Sequence, residues 1–445
     1  MHKYRKIMKK PIKIFFVIIF ISTQIIFAQD IKRPSYSFVF GKQKGVTNAI
    51  IINDKSIYND ASGFGFDFKT MPNFIKKSKV GAYVSSDKAF YFSANVPEGN
   101  YQIKVRITNP NGQSKTTVKA ESRRLMLENI TPQQGSVKEE VFIVNVKSRI
   151  INANKNVILK EREYNKLDWD SKLTLEFTVN PSIESIEITP VDNQITVFLS
   201  GNSTVVNQDD EPWASWGQMI PNFFGAGVAI ANHAESGLTL GSFLGSNRLE
   251  KILSVMKKGD YLFVEFGHND QKDKGPNDGA FKSYSERLRL FVNSFREKGG
   301  IPIIVTSTGR RSFDTDGNVI ETLGDFPTAA KQVATELNVP LIDLNSMSKT
   351  FYKALGVEES KKAFVHYPAN SYPNQKIALA DNTHFNPYGA YQLAKMIIQE
   401  ILEQKIVLSK YVREFKTFNP TQPDAISSWF WPESPRSNFV KPDGN

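Results

Sequence analysis

The chain has 445 residues, of which 40% are hydrophobic, 12% aromatic and 23% charged, a composition typical of a globular protein with two or three domains. Its formal net charge is +11, but residues 1–28 hold six Lys or Arg and no acid, so the remainder carries 50 basic and 45 acidic side chains, a net +5. A charge of that size does not indicate nucleic-acid binding. The absence of cysteine excludes disulfides, thiol catalysis and cysteine-based metal sites.

The start of the chain is typical of a secretory signal peptide. A basic segment is followed by the apolar run IFFVIIFISTQIIFA, which ends on a small residue, Ala28. We therefore predict cleavage after Ala28 and an exported protein, periplasmic or extracellular, with no stable membrane insertion. The alternative is an uncleaved membrane anchor, but an apolar run of about 15 residues is short for a membrane span.

Residues 33–190 are predicted to form an antiparallel β-sandwich domain. Several segments in this range are rich in β-branched and aromatic residues, and Gly, Pro or Asn separates them. These segments are 88–96, 100–108, 114–122, 140–148, 172–179 and 183–191.

From residue 193 to residue 405 the pattern changes to α/β. Short apolar runs at 194–201, 227–234, 260–267, 301–308 and 339–345 alternate with segments of helical period at 241–258, 284–299, 327–338 and 386–404. This alternation predicts a parallel sheet with helices on both faces. Residues 406–445 form an irregular, Pro-rich C-terminal extension, whose aromatic run Trp429-Phe430-Trp431 favours packing against the rest of the chain.

Polar residues follow the predicted strands at the end where parallel sheets gather functional groups. The first strand leads into Ser203, and Asp381 and His384 precede the last helix. A serine hydroxyl needs a base to take its proton, and the base works best when a carboxylate fixes its tautomer. We predict Ser203 as nucleophile, His384 as base and Asp381 as the carboxylate, with the last two neighbours in a helical turn.

The oxyanion that forms during acyl transfer needs preorganised hydrogen-bond donors. The candidates are the backbone N–H groups of Ser203 and Gly237 and the side-chain amide of Asn269. A glycine at position 237 also lets the backbone approach a substrate closely.

Together these residues resemble the SGNH/GDSL hydrolase superfamily. The likeness to its rhamnogalacturonan acetylesterase group covers about 193–405 and is carried by SGNSTVV, WASWGQMIPNFF, NHAESG, VEFGHND and DNTHFNPYGA. It implies a flavodoxin-like three-layer α/β/α fold and a serine esterase, without cofactor, that acts on an acetylated plant polysaccharide, with rhamnogalacturonan favoured. The preceding β-sandwich resembles galactose-binding-like modules, which bind carbohydrate or serve as a scaffold.

Two motifs depart from the family pattern, at three positions. Asn202 stands where the superfamily usually has aspartate, and Leu238 and Thr239 follow Gly237 where the group commonly has arginines. The first departure keeps open an inactive carbohydrate-binding relative. The second keeps open an acetylxylan or another acyl ester as the substrate.

Four further side chains are candidate substrate contacts. Trp213 and Trp216 belong either to the core or to a sugar-stacking surface, while His268 and His366 are candidates for lining the site. The acidic stretch 314–318 resembles a calcium loop, but its glycine falls at the fourth position and not the sixth, which favours a hairpin turn. We therefore expect no metal and no cofactor, and an acetylated polysaccharide or oligosaccharide as the substrate, while the oligomeric state stays open.

Overall fold

The computed structural model describes residues 33–41, 47–437 and 439–443. The predicted signal peptide lies outside the described residues. Within those ranges, every helix is too short or too polar to cross a bilayer.

The first part of the structure consists of two facing β-sheets. One has the strand order β10-β7-β14-β1-β2, with β5 and β4 continuing from β14, and the other has the order β3-β6-β13-β8-β9. The strands are β1 (Tyr36–Phe40), β2 (Ile50–Ile52), β3 (Phe64–Asp67), β4 (Asn73–Ile75), β5 (Tyr83–Ser85), β6 (Phe90–Asn95), β7 (Gly99–Thr108), β8 (Lys115–Ala120), β9 (Arg124–Ile130), β10 (Val137–Val146), β13 (Lys172–Asn180) and β14 (Ser182–Val191), with a separate hairpin of β11 (Ile150–Asn152) and β12 (Lys155–Asn156).

Strand β7 shows why these segments pair as a sandwich. Alternate residues from Tyr101 to Ile107 are fully buried, whereas Lys104 and Arg106 between them are partly exposed. This period of two places one apolar face of each sheet against the other. Aromatic rings fill the space between the sheets, as in the contact of Phe38 with Phe92 at 4.9 Å between centroids. The predicted all-β region is confirmed.

The second part is built on a five-stranded parallel sheet of order β16-β15-β17-β18-β19. Its strands are β15 (Ile195–Ser200), β16 (Val228–Asn232), β17 (Tyr261–Val264), β18 (Ile301–Val305) and β19 (Leu341–Ile342), followed by the hairpin β20 (Phe364–Tyr367) and β21 (Leu379–Phe385). The helices are α1 (Trp216–Met219), α2 (Leu240–Gly245), α3 (Arg248–Val255), α4 (Ser285–Glu297), α5 (Phe326–Leu337), α6 (Leu344–Glu359) and α7 (Pro387–Glu403).

The central strand β17 is covered on both faces. Tyr261 and Phe263 belong to the core that includes α1, α6 and α7, whereas Leu262 and Val264 belong to the core that includes α2 to α5. The predicted three-layer α/β/α fold is therefore confirmed. The segment predicted as one helix, 241–258, is two helices, because Asn247 between them has a positive φ of 61° that a right-handed helix does not accommodate.

The β-sandwich contacts the α/β part through buried polar groups. Arg124 Nη1 donates to the carbonyl of Ile230 at 3.1 Å, and the ammonium of Lys147 donates to the carbonyl of Asn232. Both acceptors lie on β16, which is an edge of the parallel sheet. The β-sandwich thus packs directly against the sheet that carries the candidate site. The predicted domain boundary between residues 190 and 193 stays a prediction.

Candidate active site

Strand β15 ends in a tight turn that presents Ser203. A Cβ on Gly201 would lie 2.4 Å from Cγ2 of Val205, so only glycine fits at that position. The carbonyl of Asn202 accepts hydrogen bonds from the N–H groups of Val205 and Val206 at 3.0 and 2.9 Å. These contacts fix the backbone around Ser203 at the carboxyl end of the sheet, where parallel sheets place their ligands.

Ser203, His384 and Asp381 form one continuous set of hydrogen bonds. His384 Nε2 lies 2.9 Å from Ser203 Oγ, and His384 Nδ1 lies 2.8 Å from Asp381 Oδ2. All three residues are buried, with exposed fractions of 4%, 1% and 7% for Ser203, His384 and Asp381. The carboxylate requires the ring proton on Nδ1, which leaves Nε2 free to accept the serine proton.

Asp381 is held as a carboxylate by its surroundings. Burial alone would raise the pKa of Asp381, but the hydrogen bond and charge of His384, with the backbone N–H groups of His384 and Thr383, outweigh it and hold that pKa well below its usual range. Those N–H groups donate to Oδ1 at 3.0 and 2.8 Å. Asp381 therefore keeps its charge and its orientation at neutral pH.

The sequence pattern predicted that Asp381 and His384 meet in a helical turn. In the structure their contact has a different origin. Both residues lie in β21, whose pairing with β20 shifts so that Val365 is opposite Asp381 and Phe364 is opposite Phe385. The extra residues between these pairs form a bulge that brings the side chains together. Bulges re-aim side chains near functional sites in this way.

The loop that contains Gly237 lies between the turn of Ser203 and Asn269. Glu235 N donates to the carbonyl of Gly201 at 3.3 Å, and Asn269 Nδ2 donates to the carbonyl of Leu238 at 3.2 Å. An amide nitrogen carries two hydrogens, so one of the Asn269 donors is not used by Leu238. Gly237 has a φ of 77°, which favours glycine. The structure thus brings all the predicted oxyanion-hole residues to one region, while their role stays a prediction.

Asp270 is the last residue of the motif VEFGHND, and the sequence alone assigned it no role. Its carboxylate accepts hydrogen bonds from the N–H groups of Leu240 and Gly267, at 2.8 and 3.0 Å. Burial raises the pKa of Asp270 to about 6, although these backbone donors oppose the shift. Asp270 joins the start of α2 to the loop that carries Asn269.

Glu265 is a second residue that sequence reasoning did not assign. It is fully buried at the end of β17, where it accepts hydrogen bonds from the Trp216 indole and from Ser307 Oγ at 3.3 Å. Thr204 Oγ1 lies 2.8 Å from Glu265 and 3.0 Å from Asn202 Oδ1. Burial raises the pKa of Glu265 to about 7, although the hydrogen bonds oppose the shift. The signal in the sequence is a glutamate inside the apolar run DYLFVEFG.

The candidate substrate contacts occupy different environments. Trp216 has no exposed surface and lies in the core, which is one of the two environments that the sequence left open for it. Trp213 is also buried and packs against Phe439 of the C-terminal extension, with ring centroids 5.2 Å apart. His366 is partly exposed on β20, and its Nε2 lies 2.9 Å from Oδ1 of Asn382, which neighbours Asp381 in the chain.

His268 is buried and neutral. Burial, together with the nearby charge of Arg310, lowers the pKa of His268 to about 3. Its Nε2 lies 2.6 Å from the carbonyl of Thr308, so Nε2 carries the proton. Its Nδ1 is a buried acceptor that has no hydrogen-bond partner in the described part of the chain. His268 is therefore not a base for Ser203, whose partner is His384.

The C-terminal extension passes over the segment that follows Ser203. Trp431 Nε1 donates to Glu211 at 3.0 Å, and Ser437 Oγ lies 3.3 Å from Asp210.

Among the residues the structure describes, no group of three or more His, Cys, Asp or Glu side chains is arranged to hold a metal ion.

Comparisons with known proteins show the family to which the chain belongs. Residues 199–391 match the model of the GDSL-like lipase/acylhydrolase family. A rhamnogalacturonan acetylesterase of Bacillus subtilis (strain 168) is 42% identical over 220 residues, which cover 49% of this chain and 94% of that protein. The chain belongs to the GDSL-like lipase/acylhydrolase family. It is a carboxylic ester hydrolase, and the predicted SGNH/GDSL resemblance is confirmed.

A further relative extends into the β-sandwich. The uncharacterized esterase YxiM of Bacillus subtilis (strain 168) is 26% identical over 387 residues, which cover 83% of this chain and 91% of that protein. The α/β part and the C-terminal extension together are shorter than 83% of this chain, so the match must include part of the β-sandwich. The crystal structure of YxiM aligns with 84% of this chain and 99% of that chain at 23% identity, with a TM-score of 0.45.

Proposed function

We propose that this hydrolase removes acetyl groups from a plant cell-wall polysaccharide, with rhamnogalacturonan as the substrate, and that it acts after export. The observation that carries the proposal is the hydrogen-bonded set of Ser203, His384 and Asp381, with 2.9 and 2.8 Å between the partners. The substrate class is supported by the 42% identity to a rhamnogalacturonan acetylesterase over nearly the whole of that relative.

The reaction begins when Ser203 Oγ attacks the acetyl carbonyl while His384 Nε2 takes the hydroxyl proton. Asp381 holds the imidazole in the required tautomer and stabilises the imidazolium. The N–H groups of Ser203 and Gly237 and the amide of Asn269 donate to the oxyanion. His384 then gives its proton to the departing sugar oxygen, which leaves an acetyl-enzyme.

The second half-reaction uses the same groups. Water attacks the acetyl carbonyl and gives a proton to His384. When the tetrahedral intermediate collapses, the bond to Ser203 Oγ breaks, acetate leaves, and the serine recovers its proton from His384. The cycle thus uses water together with side chains and backbone N–H groups of this chain.

Acetate release from two polymers tests the proposal. We expect the purified protein to hydrolyse p-nitrophenyl acetate and to release acetate faster from acetylated rhamnogalacturonan than from acetylated xylan. His384→Ala is the control, and it should lose at least about a thousandfold in rate on every ester. Faster release from xylan would replace the substrate, and absence of hydrolysis in the folded protein would favour a carbohydrate-binding role.

A further inference from the structure

Two cations of the β-sandwich part lie beside the loop of Gly237. Lys160 Nζ donates to the carbonyl of Ser236 at 2.5 Å. A Cβ placed on Gly237 would lie 3.0 Å from the same ammonium group. Arg162 is close to this position, because its Nε lies 3.6 Å from a carboxylate oxygen of Glu235 in the same loop. The loop therefore has cationic neighbours although its own sequence lacks them.

The backbone that carries these cations is fixed to the α/β part. Glu163 is fully buried, and its carboxylate pairs with the guanidinium of Arg248 at the start of α3. It also accepts hydrogen bonds from the N–H of Lys160 at 2.8 Å and from the indole of Trp169 at 3.0 Å. A buried ion pair that is satisfied in this way holds its segment in one arrangement. The side chains of Lys160 and Arg162 thus project from a rigid base.

A carboxylate of the chain itself occupies the position between the two cations. Asp443 Oδ2 lies 3.0 Å from Lys160 Nζ, and Asp443 Oδ1 lies 3.4 Å from Arg162 Nη1. The Asp443 Cβ lies 2.9 Å from the position that a Cβ on Gly237 would take. Within the described residues, Asp443 is the only carboxylate within salt-bridge distance of Lys160. The carboxylate is about half exposed, so a competing anion can reach the two cations.

We propose that Lys160 and Arg162 form a carboxylate subsite beside the oxyanion loop, which Asp443 occupies in this structure and which a uronate of the polysaccharide takes in the complex. The inference rests on the proposed function and names the group of the uronic-acid-containing backbone that the β-sandwich part binds. In such a backbone, a carboxylate lies on the acetylated ring or on a neighbouring ring. The β-sandwich part thus supplies the cations that Leu238 and Thr239 do not.

Competition with Asp443 has a direct consequence for affinity. A substrate carboxylate must displace the internal one before it pairs with the cations, so the apparent affinity is lower than that of the open subsite. The pairing is screened by salt because its groups are partly exposed. Removing the internal carboxylate should therefore strengthen binding, and removing either cation should weaken it.

Calorimetric binding of an unacetylated galacturonate trisaccharide tests the subsite independently of catalysis. We expect tighter binding of this sugar than of the neutral xylotriose. Lys160→Ala and Arg162→Ala should each raise the dissociation constant about fivefold, whereas Asp443→Asn should lower it by about two- to fivefold. Lys155→Ala is the matched control, because this lysine pairs with Glu250 in an exposed ion pair, and it should leave binding unchanged.

The outcomes separate this inference from the proposed function. A protein that hydrolyses acetylated rhamnogalacturonan but binds trigalacturonate equally well with and without Lys160 would overturn the subsite alone. A protein that binds trigalacturonate through Lys160 but releases no acetate would overturn the esterase alone. If the Lys160 variant does not fold, Asp443→Asn still decides, since unchanged affinity in that variant contradicts the subsite.

Discussion

The β-sandwich is apolar inside and charged where it meets the α/β part. Its interior is filled by rings such as Phe38 and Phe92, which are fully buried. At the contact, Arg123 and Arg124 are buried with exposed fractions of 3% each. An apolar core tolerates several packings, whereas a buried guanidinium is stable only when its partners are correctly placed. The contact with the α/β part therefore determines the relative positions of its residues more strictly than the apolar core does.

The buried charges at this contact are linked to Ser203. Arg123 Nη1 donates to the carbonyls of Gln208 and Trp213 at 3.0 and 3.1 Å, and its Nη2 pairs with Glu211. Gln208 Nε2 in turn donates to the carbonyl of Ser203 at 2.9 Å. A chain of hydrogen bonds thus connects the β-sandwich part to the backbone of Ser203.

The largest expected effect is on catalysis and follows Ser203→Ala. The variant removes the attacking hydroxyl and one hydrogen bond, so hydrolysis of p-nitrophenyl acetate should fall by about ten thousandfold or more. The free energy of unfolding should change by less than about 1 kcal/mol. Initial rates and urea unfolding measure the two quantities. A variant that keeps its rate would show that Ser203 is only a turn residue.

The largest expected effect on stability follows Arg123→Met. This change leaves the Glu211 carboxylate without its guanidinium in the interior, which costs about 3–5 kcal/mol of the free energy of unfolding. The double variant with Glu211→Gln should recover part of that loss. Arg33→Met is the control. Arg33 pairs with Asp192, whose side chain is largely exposed, and such a pair contributes at most about 1 kcal/mol to the free energy of unfolding. If Arg33→Met and Arg123→Met lower the free energy of unfolding equally, the buried charged contact contributes no more to stability than an exposed ion pair.

The sequence was sufficient to predict that Ser203, His384 and Asp381 lie together, but not to predict the charged contact. Ser203, Asp381 and His384 stand in short motifs at the ends of strands, where the rule for parallel sheets already groups them. The bulge in β21 was not predicted, because it depends on the pairing with β20. Glu211 belongs to the acidic stretch 209–211, which no local pattern marks as buried, yet its side chain is buried against Arg123.

The same limit explains Trp216. Its spacing in the motif fits a sugar contact and a core residue equally well. Its place in the core is set by Glu265, whose carboxylate accepts from the indole and which comes from a different strand. Partners that are distant in sequence decide such cases, and no local pattern contains them.

Glu265→Gln should change how stability depends on pH. Burial raises the pKa of Glu265 to about 7, above the value of about 4.3 in an unfolded chain. The stability that its protonated form contributes is present in full below about pH 4 and is lost as the pH rises through 7. The variant has no such group, so its free energy of unfolding relative to wild type should rise by on the order of 2–3 kcal/mol between pH 4 and pH 8. If the difference in the free energy of unfolding between the variant and wild type is the same at pH 4 and pH 8, this account is contradicted.

The smallest expected effect concerns Asn202, the departure from the family pattern. Its Oδ1 accepts from Thr204 N at 3.1 Å, and Asn202→Ala removes that acceptor from a buried turn. The loss should be about 1–2 kcal/mol in the free energy of unfolding. Asn202→Asp keeps an acceptor at the same position and should retain the esterase activity. Loss of activity in Asn202→Asp would mean that the amide itself is required.

The most direct test of the central claim is labelling by a serine-directed phosphonate, followed by peptide mass mapping. Ser203 is the proposed nucleophile, and its Oγ lies 2.9 Å from His384 Nε2. We expect one labelled peptide, which contains Ser203, and a labelling rate that falls by about a thousandfold in His384→Ala. A label on another serine, or an equal rate in the His384 variant, would contradict the account.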